Sequence, residues 1–231
     1  MGSILCLETS SRVCSVAVGK DGRLLSCRES ERENAHSSLL TELIDNTLKE
    51  AGILLSDLDA IAVSMGPGSY TGLRIGVASA KGFCFALDKP LIAVPTLKAL
   101  AAGMREAYRP EEGLLCPMLD ARRMEVYTAV YDLDLAEINP VSAEIITETS
   151  FEDLLSSGRV IFAGEGAAKC EPLLGSNRNS VFIDDFRLSA GYLYPLAMEK
   201  YRVSEFENIT YFEPFYLKDF VAGKPRVKGL K

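Results

Sequence analysis

The chain has 231 residues, 48% hydrophobic and 25% charged, which is the balance of an ordinary globular protein with interior enough for one large or two small domains. A net charge of −7 argues against a protein that grips nucleic acid through its own surface field. Six cysteines without a CxxC pair, no apolar run of about 18 residues and no targeting signal at Met1-Gly2-Ser3 predict a reduced, cytoplasmic protein with no membrane span.

Ile4 to Leu7 reads as a buried strand, followed by the polar turn Glu8-Thr9-Ser10-Ser11-Arg12. Cys14, Val16 and Val18 alternate with Ser15 and Ala17, which predicts a second strand with one wetter face. Asp21-Gly22 is a strong hairpin signal, so Leu24 to Arg28 pairs back as a third strand. Leu39, Leu40, Leu43, Ile44 and Leu48 then follow helical spacing until Gly52 stops the helix. Ala60–Val63 is a buried strand, Gly66 to Gly72 a loop, and Leu73 to Leu87 a helix. Leu91–Val94 is a strand, and Thr96 is the predicted cap of a helix through Met104.

Arg105 to Gly113 reads as a linker, after which the pattern begins again. Leu114–Leu119, Val126–Val130 and Val141–Ile146 are predicted strands. Ser150-Phe151-Glu152-Asp153 reads as a capping box that opens a short helix. Val160–Ala163 is a strand, Ala167–Leu174 a short helix, Val181–Ile183 a strand, and Ser189–Tyr201 a helix interrupted by Pro195. The order is βββαβαβα twice, the second unit smaller. That topology is the one found in actin-like, ribonuclease-H-like (ASKHA) folds, with an N-terminal subdomain over 1–104 and a C-terminal subdomain over 105–231. The second ends in a basic tail with Lys218, Lys224, Arg226, Lys228 and Lys231.

The loop Gly66-Pro67-Gly68-Ser69-Tyr70-Thr71-Gly72 invites a phosphate-cradle reading. A Walker-type loop needs a lysine after its last glycine, and here Leu73 and Arg74 follow; the glycines are spaced GxGxxxG, not GxGxxG. On spacing alone, a tight strand-to-helix turn and an anion site both stay open. The one histidine, His36, excludes histidine-pair metal sites and leaves no ready catalytic triad. Thr9, Ser10, Asp120, Gly164 and Gly166 lie where actin-like phosphotransferases meet a nucleotide, although Glu8 stands where those proteins carry an aspartate. Gly72, Gly76 and Ala80 recur every four residues, a stripe that implies a close neighbour, because each helical glycine costs roughly 1 kcal/mol.

ILCLETS, NAHSSLLTELI, AVSMGPGSYTGLRIGVASAKGFCFAL and PLIAVPTLKALA, in that order, resemble the TsaB (YeaZ) family. The likeness is close over about the first hundred residues and looser afterwards, through LDARRMEVYTAVY and FAGEGA; GPGSYTGLRIG is its most specific part. The resemblance implies a cytoplasmic bacterial scaffold that is not an enzyme on its own and has neither catalytic residue nor metal ligand. It implies pairing with TsaD, a same-fold enzyme that carries a metal-binding HxxxH motif, and work with the ATPase TsaE. Together they make threonylcarbamoyladenosine beside the anticodon of tRNAs reading A-starting codons; tRNA is met indirectly through the complex, and the chain alone forms a homodimer. The implied partner interface comprises His36, Leu39, Leu40, Leu43, Gly72, Arg74, Ile75, Gly76, Ser79 and Ala80. No cofactor is required, and weak or structural nucleotide binding is kept as a candidate. The alternative is an actin-like small-molecule kinase or ATPase with its nucleotide in the inter-domain cleft.

Overall fold

A computed structural model describes residues 2–32 and 35–218. Lys224, Arg226, Lys228 and Lys231 of the basic tail lie outside the described residues. The chain opens with β1 (Ser3–Glu8), β2 (Cys14–Lys20) and β3 (Arg23–Ser30). Asp21 and Gly22, with φ of 54° and 85°, form the left-handed pair of a two-residue hairpin. The expected wetter face of β2 is absent, because helices cover both sides of this sheet; Ser15 and Ala17 are as buried as Val16 and Val18.

The expected first helix is two pieces, α1 (Ala35–Ser38) and α2 (Leu40–Ala51), the latter ended by Gly52 at φ 66°. Next come β4 (Ala60–Gly66), α3 (Tyr70–Leu87), β5 (Leu91–Pro95) and α4 (Thr96–Tyr108). α3 starts before Leu73 because the Ser69 hydroxyl caps it, accepting the Gly72 amide at 3.3 Å. Thr96 is not a cap; its hydroxyl accepts the Gly66 amide at 3.1 Å. Arg105–Tyr108, expected in a linker, is the last turn of α4.

The second unit is β6 (Leu114–Asp120), β7 (Glu125–Tyr131), β8 (Glu137–Ile145), α5 (Glu152–Ser157), β9 (Val160–Ala163), α6 (Glu171–Leu174), β10 (Ser180–Ile183) and α7 (Ala190–Arg202). The capping box expected at Ser150 does not form; the Ser150 hydroxyl accepts the Thr147 amide at 3.0 Å instead. Pro195 lies inside α7 without ending it, so only one backbone bond is forgone.

The two sheets share one plan. Their orders are β3-β2-β1-β4-β5 and β10-β9-β6-β7-β8, each with an antiparallel meander and parallel strands added beside its first strand. Each sheet borrows a helix from the other half: α7 packs on β1, β2, β4 and β5, whereas α4 packs on β6 and β7. α4 is accordingly buried around most of its circumference. One hydrophobic cluster therefore runs through both halves, from Ile4 and Ile92 through Leu100 to Leu115 and Leu193. After α7 the chain returns along the first sheet, where the Glu207 amide donates to the Leu91 carbonyl at 2.9 Å and Phe212 enters the first-sheet core. No helix among the described residues is long and apolar enough to cross a membrane.

Candidate functional site

The β1–β2 turn and the start of α3 are locked together. The Thr9 hydroxyl donates to the Gly72 carbonyl at 2.8 Å, and the Ser69 amide donates to the Ser10 carbonyl at 2.7 Å. A Cβ at Gly72 would overlap the Thr9 carbonyl oxygen, and one at Gly76 would overlap the Thr9 hydroxyl. A Cβ at Gly68 would sit 2.5 Å from the Ser10 carbonyl oxygen. Gly66, at φ 118°, lies against the Phe215 carbonyl. Gly66, Gly68 and Gly72 are therefore used where backbone meets backbone inside the chain, and Gly76 where the Thr9 side chain presses in.

The residues expected at an interface differ in their exposure. Gly72, Gly76 and Ala80 are buried on the inner side of α3 with Leu73, Val77 and Cys84, and Leu40 is buried under α2. The small size of Gly72 and Gly76 is explained by the Thr9 turn. Leu39, Leu43 and Ile75 are half-buried against the first-sheet core, Ser79 is half-buried, and Arg74 is exposed. His36 is half-buried beside the Ser11 and Val13 backbone, and burial lowers its pKa against the pull of those backbone hydrogen bonds. The outer side of α3 instead shows Thr71, Arg74, Ala78, Gly82, Phe85 and Ala86. Ala78, Gly82 and Ala86 form a second small-residue track that sequence reasoning passed over. The signal for it was present in the apolar residues Leu73 and Val77, which turn the first track inward.

Beneath the locked turn lies Glu8, with no exposed surface. Its carboxyl accepts the Ser10 amide and hydroxyl at 2.5 Å each, and the Ser64 hydroxyl on its other oxygen. Burial pushes its pKa up to about 7 against the pull of the Ser10 hydrogen bonds, and Glu165 adds to the rise. Glu165 comes from the second unit and accepts the Arg12 amide at 3.0 Å; its own pKa is raised, chiefly by burial.

The candidate nucleotide residues are also engaged. Thr9 and Ser10 are buried in the bonds already described. Gly164, at φ 108°, leaves no room for a side chain against the Met118 carbonyl, and the Gly166 amide donates to that same carbonyl at 3.0 Å. Asp120 pairs with Lys169 and accepts the Arg122 amide at 2.9 Å. Lys218 pairs with Glu125 at the same rim. Among the described residues, no three His, Cys, Asp or Glu side chains gather as a metal-holding group.

These features define an actin-like protein of two α/β subdomains whose β1–β2 turn is bound up by its own glycine-rich helix. Component A of (R)-2-hydroxyglutaryl-CoA dehydratase from Acidaminococcus fermentans shares this fold, with a TM-score of 0.54 over 89% of this chain and all of that one at 10% identity. Residues 29–174 match the family model described as "TsaD: tRNA N6-adenosine threonylcarbamoyltransferase". TsaB of Escherichia coli, described as a tRNA threonylcarbamoyladenosine biosynthesis protein, is 31% identical over 96% of each chain. YeaZ from Pseudomonas aeruginosa superposes with a TM-score of 0.83 at 28% identity, covering 94% of this chain and all of that one. The chain belongs to the TsaB (YeaZ) family.

Two outcomes follow from the geometry. Gly72→Ala and Gly76→Ala should each destabilise the protein, Gly72→Ala by about 3 kcal/mol. Thr9→Ala should relieve the Gly76 variant, whose obstacle is the Thr9 hydroxyl, but not the Gly72 variant, whose obstacle is backbone. A double-mutant cycle in urea measures this coupling. For Glu8, the native state holds a proton that the unfolded chain releases between about pH 4.5 and 7. Stability from this group is therefore full below the lower pH and falls as pH rises through the upper one. The stability of wild type relative to Glu8→Gln should drop by on the order of 2–3 kcal/mol from pH 4.5 to 8. A flat difference across that range would show that Glu8 titrates normally.

Proposed function

We propose that this chain is a non-catalytic scaffold subunit which, with TsaD and TsaE, supports threonylcarbamoyl transfer to the adenosine beside the anticodon of tRNAs reading A-starting codons. The relatives that match it over nearly its whole length are named for tRNA threonylcarbamoyladenosine biosynthesis. The single observation that carries the scaffold role is the outer track of α3. Gly82 is exposed in mid-helix with nothing within 4 Å of where a Cβ would stand. In an isolated helix such a glycine costs roughly 1 kcal/mol relative to alanine and brings no internal gain. A partner helix that packs its backbone against Ala78, Gly82 and Ala86 would use that space.

The TsaD description of the matching family model supports a partner of the same fold, and homologous helix faces readily pair about a pseudo-twofold axis. A second copy of this chain occupies the same face when the partner is absent, and tRNA reaches the subunit through the complex. The subunit requires no cofactor of its own. The kinase alternative is weakened because the hydroxyls of Thr9 and Ser10, which would hold phosphate, are committed to Gly72 and Glu8.

Gly82 offers a clean test, since its exposure lets it change without harm to the core. Gly82→Ala should raise stability by roughly 0.5–1 kcal/mol. Gly82→Arg should fold with a thermal midpoint no lower than wild type, yet fail to co-purify with TsaD from the same organism. Recovery of the intact complex with Gly82→Arg would remove α3 from the interface.

A further inference from the structure

α1 packs against α3. Residues 203–218, the segment after α7, also run beside this helix. At the first turn of α3 the Tyr70 ring lies 4.8 Å from that of Tyr216, and the Arg74 guanidinium sits 5.2 Å from the centre of the Tyr70 ring. Further along, the Lys81 ammonium donates to the Phe212 carbonyl at 3.0 Å. Tyr70, Arg74 and Lys81 are spaced by four and seven residues, which places them on one side of the helix.

The segment is fixed in place before any partner arrives. Its Phe215 amide donates to the Met65 carbonyl at 2.7 Å, its Glu207 amide bonds Leu91, and Phe212 is only 9% exposed in the first-sheet core. Two aromatic side chains nevertheless stay open. Phe85 lies one turn beyond Lys81 on the same flank, and Tyr211 adjoins Phe212. Each is 81% exposed, the most of any large apolar side chain among the described residues. An isolated exposed apolar residue is ordinary. These two bracket a single fixed contact, Lys81 with Phe212, on backbone that is already ordered. Aromatic area presented in that way is immobilised at little further entropic cost, and aromatic residues dominate interface hot spots.

We propose that residues 203–218 form the second wall of the docking face on α3, and that Phe85 and Tyr211 are its anchors for a helix from a partner of this same two-subdomain fold. The inference rests on the docking reading above. The occupant follows from the floor between the walls, where Ala78, Gly82 and Ala86 admit a helix backbone at close range. It follows also from the TsaD family match over residues 29–174, a span that contains both α2 and α3. A TsaD chain thus brings a related helix pair to meet this one.

The test measures the affinity of the full chain for TsaD of the same organism by calorimetry, with circular dichroism melting as the fold control. Tyr211→Glu and Phe85→Glu change exposed side chains and should leave the melting temperature within a few degrees of wild type. Each should weaken the complex by about tenfold or more, while Tyr211→Phe, which keeps the ring, should stay within about twofold of wild type. If Gly82→Arg abolishes the complex but both glutamate variants bind like wild type, the segment is not a wall of the face, and the docking reading survives. If Gly82→Arg also binds like wild type, the docking reading falls and this inference falls with it.

Discussion

The backbone contact between the Thr9–Ser10 turn and the first two turns of α3 sets most of what this protein can do. Gly72 and Gly76 lack side chains where Thr9 presses in, so the helix lies directly on the turn. Once that contact is made, the rotation of α3 about its axis is decided. Leu73, Val77, Ala80 and Cys84 face the sheet, while Arg74, Ala78, Gly82 and Phe85 face outward. The same contact takes up the Thr9 hydroxyl, while that of Ser10 donates to Glu8 beneath it. The buried face and the outward face of α3 are two results of one packing event.

Glu8 lies under this contact and ties it to β4 through Ser64 and to the turn through Ser10. A buried carboxyl without a cationic partner is costly when charged, and the hydrogen bonds it accepts only partly offset that cost. Its neighbour Glu165, held by the Arg12 amide, joins the turn to the second subdomain. The other acids at this rim are met by the chain's own cations, Asp120 by Lys169 and Glu125 by Lys218. Those two pairs are partly exposed, so each adds at most a modest stabilisation. Their larger effect is to neutralise the rim. The exchanged helices α4 and α7 then hold the two sheets on one shared core, which fixes the turn relative to the Glu165 loop.

The doubled βββαβαβα order was legible in the sequence because each strand and helix carries its own hydrophobic period, and Asp21-Gly22 announces its hairpin. Several local details were not. Thr96 and Ser150 looked like caps, but the amides they accept belong to Gly66 and Thr147, partners chosen by the fold and not by spacing. β2 looked half-wet because Ser15 alternates with valines; nothing local shows that α7 covers that side. The spacing of the glycine block signals close approach, and within the chain the neighbours are Thr9, Ser10 and Phe215. Periodicity reveals that a stripe of small residues exists. Which of two tracks on α3 turns inward depends on the Thr9 turn, more than sixty residues earlier in the chain. The strand-like return of Glu207 along β5 carries no sequence signal at all, since a single bridge needs no pattern.

Hydrogen exchange on the full chain, alone and with its TsaD, tests the central claim most directly. The account predicts new protection along residues 70–87, centred on the outer track at Ala78, Gly82 and Ala86. It predicts none at Glu8–Arg12 or at Asp120–Glu125, which are not part of that face. Protection that appears at those two turns while residues 70–87 stay unchanged would contradict it, because the cleft and not the helix face would then be the surface in use.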